Sequence, residues 1–404
     1  TYIYCVSDAQ VQLYHNDSVK LATTSSGIDV TGAIVTDAGG TIGASGTATT
    51  VAGIPFFTRA SIGSMYTHDV SGTDATAEHN TAYGIAALDA ITTGDHNTAI
   101  GSEAGSANTT GYSNTFIGRE AGKANTEGYN NTFVGRGAGQ SNTDADSNTF
   151  IGDIAGGAVT TGGSNIMIGH LAGDAFDTET NNLGVGKSAL SGPINGGEYN
   201  VAIGNGTLDV LTSADKTTAV GYGSGTDLTT GSLNTFMGYQ SAAAITSGAR
   251  NVIIGHEAAD AATTPDRSVI IGDGAAGIGV LTGNDNIVIG GAAGEDLTEG
   301  ATNVLVGYKA GGNITTASAS IFIGYESGLA ATTNTENMGI GYRAGYAVTG
   351  TTATFIGYKA GQNNTDGNDN TALGYQALGL GTITGDRNVA VSYTHLTLPT
   401  TPYV

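Results

Sequence analysis

The chain has 404 residues, 66 of them glycine, 5 proline and none tryptophan, and only 12% are charged, about half the charged fraction of an ordinary globular chain. Glycine at this level without a Gly-X-Y period excludes collagen, and the 39% of apolar residues recur at fixed phase, which excludes low-complexity disorder. With 13 basic against 35 acidic residues and a net charge of −22, the chain lacks the clustered cations that phosphate binding needs, so no nucleic-acid partner is expected. No run of eighteen apolar residues occurs, so no membrane insertion is expected either. The single cysteine, Cys5, has no intrachain partner for a disulfide. Thr1 is not an initiator methionine and residues 1–20 lack a signal layout, so the true start is expected to be missing or processed.

Residues 1–50 alternate polar and apolar in short runs and predict a β-rich shaft or attachment segment, followed by a transition segment over 51–79. The run Leu13-Tyr14-His15-Asn16-Asp17-Ser18-Val19-Lys20-Leu21-Ala22-Thr23-Thr24 resembles a segment of tail fibres and structural proteins of phages of aquatic bacteria. In that family it precedes solenoid repeats.

From Asn80 the chain is a repeat. A glycine following an aliphatic residue recurs every 17 residues, with two steps of 18 and one of 16, giving a repeat domain over 80–391 of eighteen coils with a nineteenth opening at Asn388. Counting from the asparagine, the clearest unit is Asn114 (position one), Thr115, Phe116, Ile117 and Gly118 (position five), then Ala121-Gly122 and a polar turn. The same phase carries Asn131, Val134 and Gly135, then Asn148, Ile151 and Gly152, and later Asn251, Ile254 and Gly255. Position five is glycine in all eighteen coils, which demands either φ > 0 or a backbone too close for a Cβ. Position one is asparagine in fourteen, and stacked asparagines predict an amide ladder along the array. A 17-residue turn is one β-coil, and eighteen stacked at ~4.8 Å predict a rod roughly 85 Å long. The fold class is therefore all-β, a parallel β-solenoid.

Positions two and four share one strand face by the period of two, and the aliphatic fourth position reads as the core. Position three then points outward, yet it is Phe116, Phe133, Phe150, Phe236, Phe322 or Phe355 in six coils and never polar. A strand apolar on both faces is covered on both, so a neighbouring chain is expected over position three. The repeat resembles the head repeats of trimeric autotransporter adhesins. That resemblance implies a left-handed β-roll assembled as a homotrimer, although the unit here is longer than the family's.

Nothing in the repeat points to catalysis, a cofactor or a metal. Gly184-Val185-Gly186-Lys187-Ser188 imitates a phosphate loop but has Asn181 where its first glycine belongs. Gly272-Asp273-Gly274-Ala275-Ala276-Gly277 matches a dinucleotide fingerprint without a βαβ unit. Glu103 and Glu120 occupy one phase in adjacent coils, roughly 5 Å apart, near the separation of a retaining glycosidase pair. His170 and His256 share a phase five coils apart, too far to hold one metal. Lys309, Glu326 and Arg343 alternate in sign and read as a solvated face. The candidate binding surface is a stripe of Tyr308, Tyr325, Tyr342, Tyr358 and Tyr375, preceded by Tyr222 and Tyr239.

After Val391 a glycine is due and Ser392 stands instead. Residues 392–404 resemble the translation of a transposon-end sequencing adapter and read as a non-native tail, with the natural protein expected to continue. The expectation is a structural fibre: a trimeric tail-fibre shaft or head on a virion, positioning or contributing to binding of a host-surface glycan or protein. The alternatives are a bacterial surface adhesin head and a polysaccharide-degrading tailspike. An ice-binding solenoid is disfavoured because position-two threonine is interrupted by Ile166, Leu183 and Val201 and is read as facing the core.

Overall fold

The computed structural model describes residues 76–193 and 195–392 in full, and before them the backbone of nine short strands between Tyr2 and Tyr66. The fold is all-β. Nineteen parallel strands form a solenoid of about 18 turns of about 17 residues. The chain divides into two compact units, Thr1–Asn131 and Thr132–Val404.

In the first unit, Tyr2–Val6, Gln10–His15, Ser18–Thr24 and Gly27–Asp29 form an antiparallel meander. A second antiparallel run, Thr49–Val51, Ile54–Arg59 and Ser64–Tyr66, ends by pairing Met65 with Thr81 in parallel. The edge of the first coil is thereby covered, and an unpaired parallel edge would otherwise be a template for aggregation. Coil strands Thr81–Tyr83, Thr98–Ile100 and Thr115–Ile117 follow in register. In the second unit the array runs from Thr132–Val134 to Val389–Val391, each strand paired in parallel with the next at equivalent repeat positions.

Only three residues per coil are strand, so other devices turn the chain. Left-handed backbone recurs at position seven, as at Glu257 (φ 50°), and at position seventeen, as at Arg250 (φ 60°). Position nine is also left-handed and holds only glycine, alanine or leucine, as at Leu208 (φ 51°) and Ala242 (φ 56°). Each non-glycine left-handed residue costs roughly 1–2 kcal/mol, and the hydrogen bonds to the coils on either side hold it in place. At position five both reasons for glycine apply together. Gly255 has φ +146°, and a Cβ on it would lie 2.3 Å from the carbonyl oxygen of Gly272.

The core corrects the expected assignment of faces. Position three points inward: Phe116, Phe133, Phe150, Phe236, Phe322 and Phe355 are fully buried, against positions eight, nine and twelve. Positions two and four point outward, so Ile117 is 36% exposed and Met237 46%. The physical reason is volume. The inside of a coil this small is filled by one strand column facing small residues at eight and nine, with no room for two columns of branched side chains. Position three therefore needs no neighbouring chain to cover it. Threonine at position two faces away from the core, so that ground for setting aside an ice-binding surface is withdrawn, while the interruptions at Ile166, Leu183 and Val201 stand.

Sizes at positions three and nine compensate across the core. Leu88, Leu190, Leu208 and Leu378 face coils whose third residue is Ala82, Gly184, Ala202 or Ala372. Where position three is phenylalanine, position nine is glycine or alanine: a Cβ on Gly122 would lie 2.4 Å from the Phe116 ring, and one on Gly361 2.1 Å from Phe355. When both are small, as Ala99 and Gly105, the neighbours fill the space, with Phe116 and Leu88 at 2.5 and 3.0 Å from a Cβ on Gly105.

The buried asparagines do form a column, although mostly not amide to amide. Asn251 Oδ1 accepts the Ser268 N–H at 2.9 Å, and its Nδ2 donates to the Pro265 carbonyl at 2.6 Å, across its own coil. The turn at position seventeen takes the next N–H out of the strand ladder, and the preceding coil's side-chain oxygen supplies its acceptor. Hydroxyls substitute at longer range, as Asn286 N–H to Ser268 Oγ at 3.2 Å. A second column runs at position sixteen, where Asp215 Oδ1 accepts the Glu198 N–H and Asp266 Oδ1 the Ala249 N–H. Glu179, buried at position fifteen in place of the usual small residue, accepts the N–H groups of Asp177 and Thr178 in its own coil and of Gly196 in the 18-residue coil that follows.

Ser392 takes the place of the missing repeat glycine. Its N–H donates to Leu373 O at 2.7 Å, with φ 70° instead of the glycine value. Residues 393–404, with most of the suspected tail, lie outside the described residues, as does Ile194.

Candidate functional site

Position six leaves the coil directly after the repeat glycine, so its side chains stand out in a column with the pitch of the stack. Rings at this phase lie flat on one another. Tyr308, Tyr325, Tyr342, Tyr358 and Tyr375 form one continuous stack with centroids 5.1–5.5 Å apart. Tyr222, Tyr239 and His256 form a second, at 5.5 and 5.3 Å. Stacking brings the predicted stripe together and also occupies it. An interior ring has a neighbour on each face and offers only its edge and hydroxyl. Each stack ends where the next position-six residue carries no ring, at Gly291 beside Tyr308 and at Asn205 beside Tyr222.

Charges at position seven flank the longer stack. Lys309, Arg343 and Lys359 lie 5.9, 5.5 and 5.5 Å from the ring centroids of Tyr308, Tyr342 and Tyr358. Arg343 also donates to Glu326, Nε to Oε2 at 2.7 Å. The hydrogen bond to Glu326 pushes the Tyr325 phenol above its ordinary range, because ionising it would put two anions together. Of the alternating charges read in the sequence, Arg343 and Glu326 thus form an ion pair, while Lys309 lies over Tyr308.

Glu103 and Glu120 share a third residue that the sequence reading did not assign. Lys123 Nζ lies 2.5 Å from Glu103 Oε2 and 3.7 Å from Glu120 Oε1, and Arg119 lies 3.3 Å from Glu120. The Lys123 hydrogen bond holds the Glu103 carboxyl below its usual range, the opposite of what a general acid needs. His256 Nδ1 lies 3.0 Å from Asp273, and His170 Nε2 lies 3.6 Å from Asp153. Among the described residues no group of three or more His, Cys, Asp or Glu is placed to hold a metal, and no helix is long and apolar enough to cross a membrane. In the phosphate-loop-like run, Gly184 is a core position three and Gly186 the repeat glycine. In the fingerprint-like run, Gly272 is the repeat glycine and Gly274 a left-handed position seven.

The outward strand face is uncharged. Position four is aliphatic, methionine or tyrosine in every coil, and position two is threonine or apolar, so neither column carries a charge anywhere in a chain with 13 basic and 35 acidic residues. Within the second unit Ile151, Ile203, Met237, Ile323 and Leu373 are among its exposed members. The period of two reveals this pair of columns in the sequence, but not that it faces outward.

No protein-family model matches the chain, and no curated protein matches it.

Proposed function

We propose that the chain is a structural fibre protein that assembles as a homotrimer through its outward strand face, and that it positions or contributes to binding at a host-cell surface as part of a phage-type tail fibre. The observation that carries this reading is the uncharged double column at positions two and four. Exposed aliphatic side chains repeated coil after coil, rather than scattered singly, mark an interaction surface, and side chains at a fixed pitch are complementary to the same columns on another copy. The resemblance of the N-terminal run to tail-fibre segments favours a virion over a bacterial surface. The lysine-bridged Glu103 and Glu120 give the tailspike alternative no acid–base pair.

The test is sedimentation of residues 1–391, alone and carrying Ile203→Lys with Met237→Lys. These side chains point outward, so the variant is expected to keep its circular dichroism and melting behaviour. The parent is expected to sediment as a trimer and the variant as a monomer. A parent that stays monomeric at micromolar concentration, or a variant that remains trimeric, overturns the assembly through this face.

A further inference from the structure

Position seven carries a side chain that stands out on the surface in most coils, as Leu171, Ser188, Gln240 and Glu257 do. In two adjacent coils it is glycine. A Cβ on Gly206 would have nothing within 4 Å, and one on Gly223 would meet only the Thr226 hydroxyl at 3.3 Å and Gln240 Cγ at 3.5 Å. The ridge is therefore missing for two coils, leaving a recess of about 550 Å³ between Ser188 and Gln240, some 14 Å along the stack.

Its walls are chemically mixed. On one side is Tyr222, 57% exposed and the end ring of its stack, with Tyr239 on one face and no ring on the other. Beside it, Asn205 is turned towards the preceding coil, its Oδ1 accepting the Lys187 N–H at 2.8 Å. Asp209, which accepts the Ser191 hydroxyl, also lines it. The Lys187 ammonium and the Gln240 amide complete the lining. One cation, one anion, amides and one exposed tyrosine suit a ligand that is neutral, carries many hydroxyls and has an apolar face. Net charge works against an anion, since the chain carries −22. An apolar ligand would strand the carboxylate and ammonium without water.

We propose that the recess at Gly206 and Gly223 is a binding site for a neutral sugar, one or two pyranose rings long, stacked on Tyr222 and hydrogen-bonded by Asp209 and Gln240. The proposal rests on the surface-binding reading above and narrows it to one place and one ligand class.

The fold supplies its own control. Position seven accepts glutamine at φ 50° in the neighbouring coil, at Gln240, so Gly206→Gln with Gly223→Gln fills the recess at a phase that already tolerates the residue. Gly274→Gln makes the same change at an open position elsewhere. Saturation-transfer NMR on the full chain would use methyl glucoside, methyl mannoside, methyl galactoside and N-acetylglucosamine as neutral probes and N-acetylneuraminic acid as the acidic one. At least one neutral probe is expected to receive saturation. Binding should be lost in the filled variant, unchanged in Gly274→Gln and weakened about three- to tenfold in Tyr222→Ala, the worth of one aromatic contact. If the filled variant fails to fold, Tyr222→Ala and Asp209→Asn decide alone. No neutral probe binding at millimolar concentration, binding of the acidic probe only, or full binding in the filled variant overturns the proposal. Sedimentation of the same samples separates the two ideas. A trimer that binds no sugar removes this site alone, and a monomer that binds sugar removes the assembly and leaves the site.

Discussion

Asn142 occupies a core position where the next coil carries Val159, and neither its Oδ1 nor its Nδ2 has a hydrogen-bond partner. A buried amide stranded in this way costs about 1–3 kcal/mol. Asn142→Val, nearly equal in volume, is expected to raise the midpoint of thermal unfolding, and a lower midpoint would mean that the amide finds partners. Asp174 is a second internal weakness. Burial pushes its carboxyl above the ordinary range, with Asp209 adding repulsion, and its Oδ1 is unpartnered. Because the folded state holds the proton more tightly than the unfolded chain, its contribution is favourable in acid and is lost as pH rises through the raised pKa. Asp174→Asn should therefore stabilise the protein at neutral pH, with the advantage shrinking as pH falls through the raised pKa and gone below about pH 4. A melting difference that did not change between pH 3 and 7 would contradict this. The asparagine column shows what single residues reveal in advance. Its phase is plain in the sequence, whereas its partners are backbone groups set by the left-handed turn at position seventeen, which the varied residues there (His96, Leu233, Arg250, Thr302) do not announce.

A coil is the smallest unit that can be removed, and the match between core sizes decides which one. Deleting residues 251–267 joins Arg250 to Ser268 and leaves Phe236 beside Ile270, which with Ala276 repeats the pairing of Ile253 and Ala259. Ser268 then inherits the acceptor on Asn234, where Asn251 bonds now at 2.9 Å. Deleting 234–250 instead removes Phe236, whose ring packs over Gly225, 2.8 Å from a Cβ built there. Ile253 would not fill that space, so this deletion should cost about 1–2 kcal/mol more through the cavity. Removing only 234–240, seven residues, reverses the alternation and should misfold or aggregate through exposed strand edges. Circular dichroism and melting of all three would check the order, and equal damage from all three would mean that the coil is not the unit. The period, the strand phase and the glycine column were legible from spacing alone. The direction of the strand was not, because alternation separates two faces without saying which is inside. The pairing of large and small residues at positions three and nine, Ala82 with Leu88 and Phe116 with Gly122, would have decided it.

For the whole molecule, reversing the faces changes what needs explaining. Phenylalanines on the surface would have demanded a partner outright. Instead they fill their coils from within, and what faces outward is an uncharged set of isoleucine, valine and threonine side chains. Contacts made only between adjacent coils bear also on heredity. Residue i meets residue i + 17 through hydrogen bonds that recur from coil to coil, as Asn251 N–H to Asn234 Oδ1 does, so a copy of one unit slipped into the gene arrives with its partners already present above and below. Near-identical coding units recombine out of register, and gain or loss in whole steps is silent in the fold wherever the core sizes agree. The number of coils is then free to drift between lineages under selection for reach, while the sequence within each coil stays fixed by its neighbours.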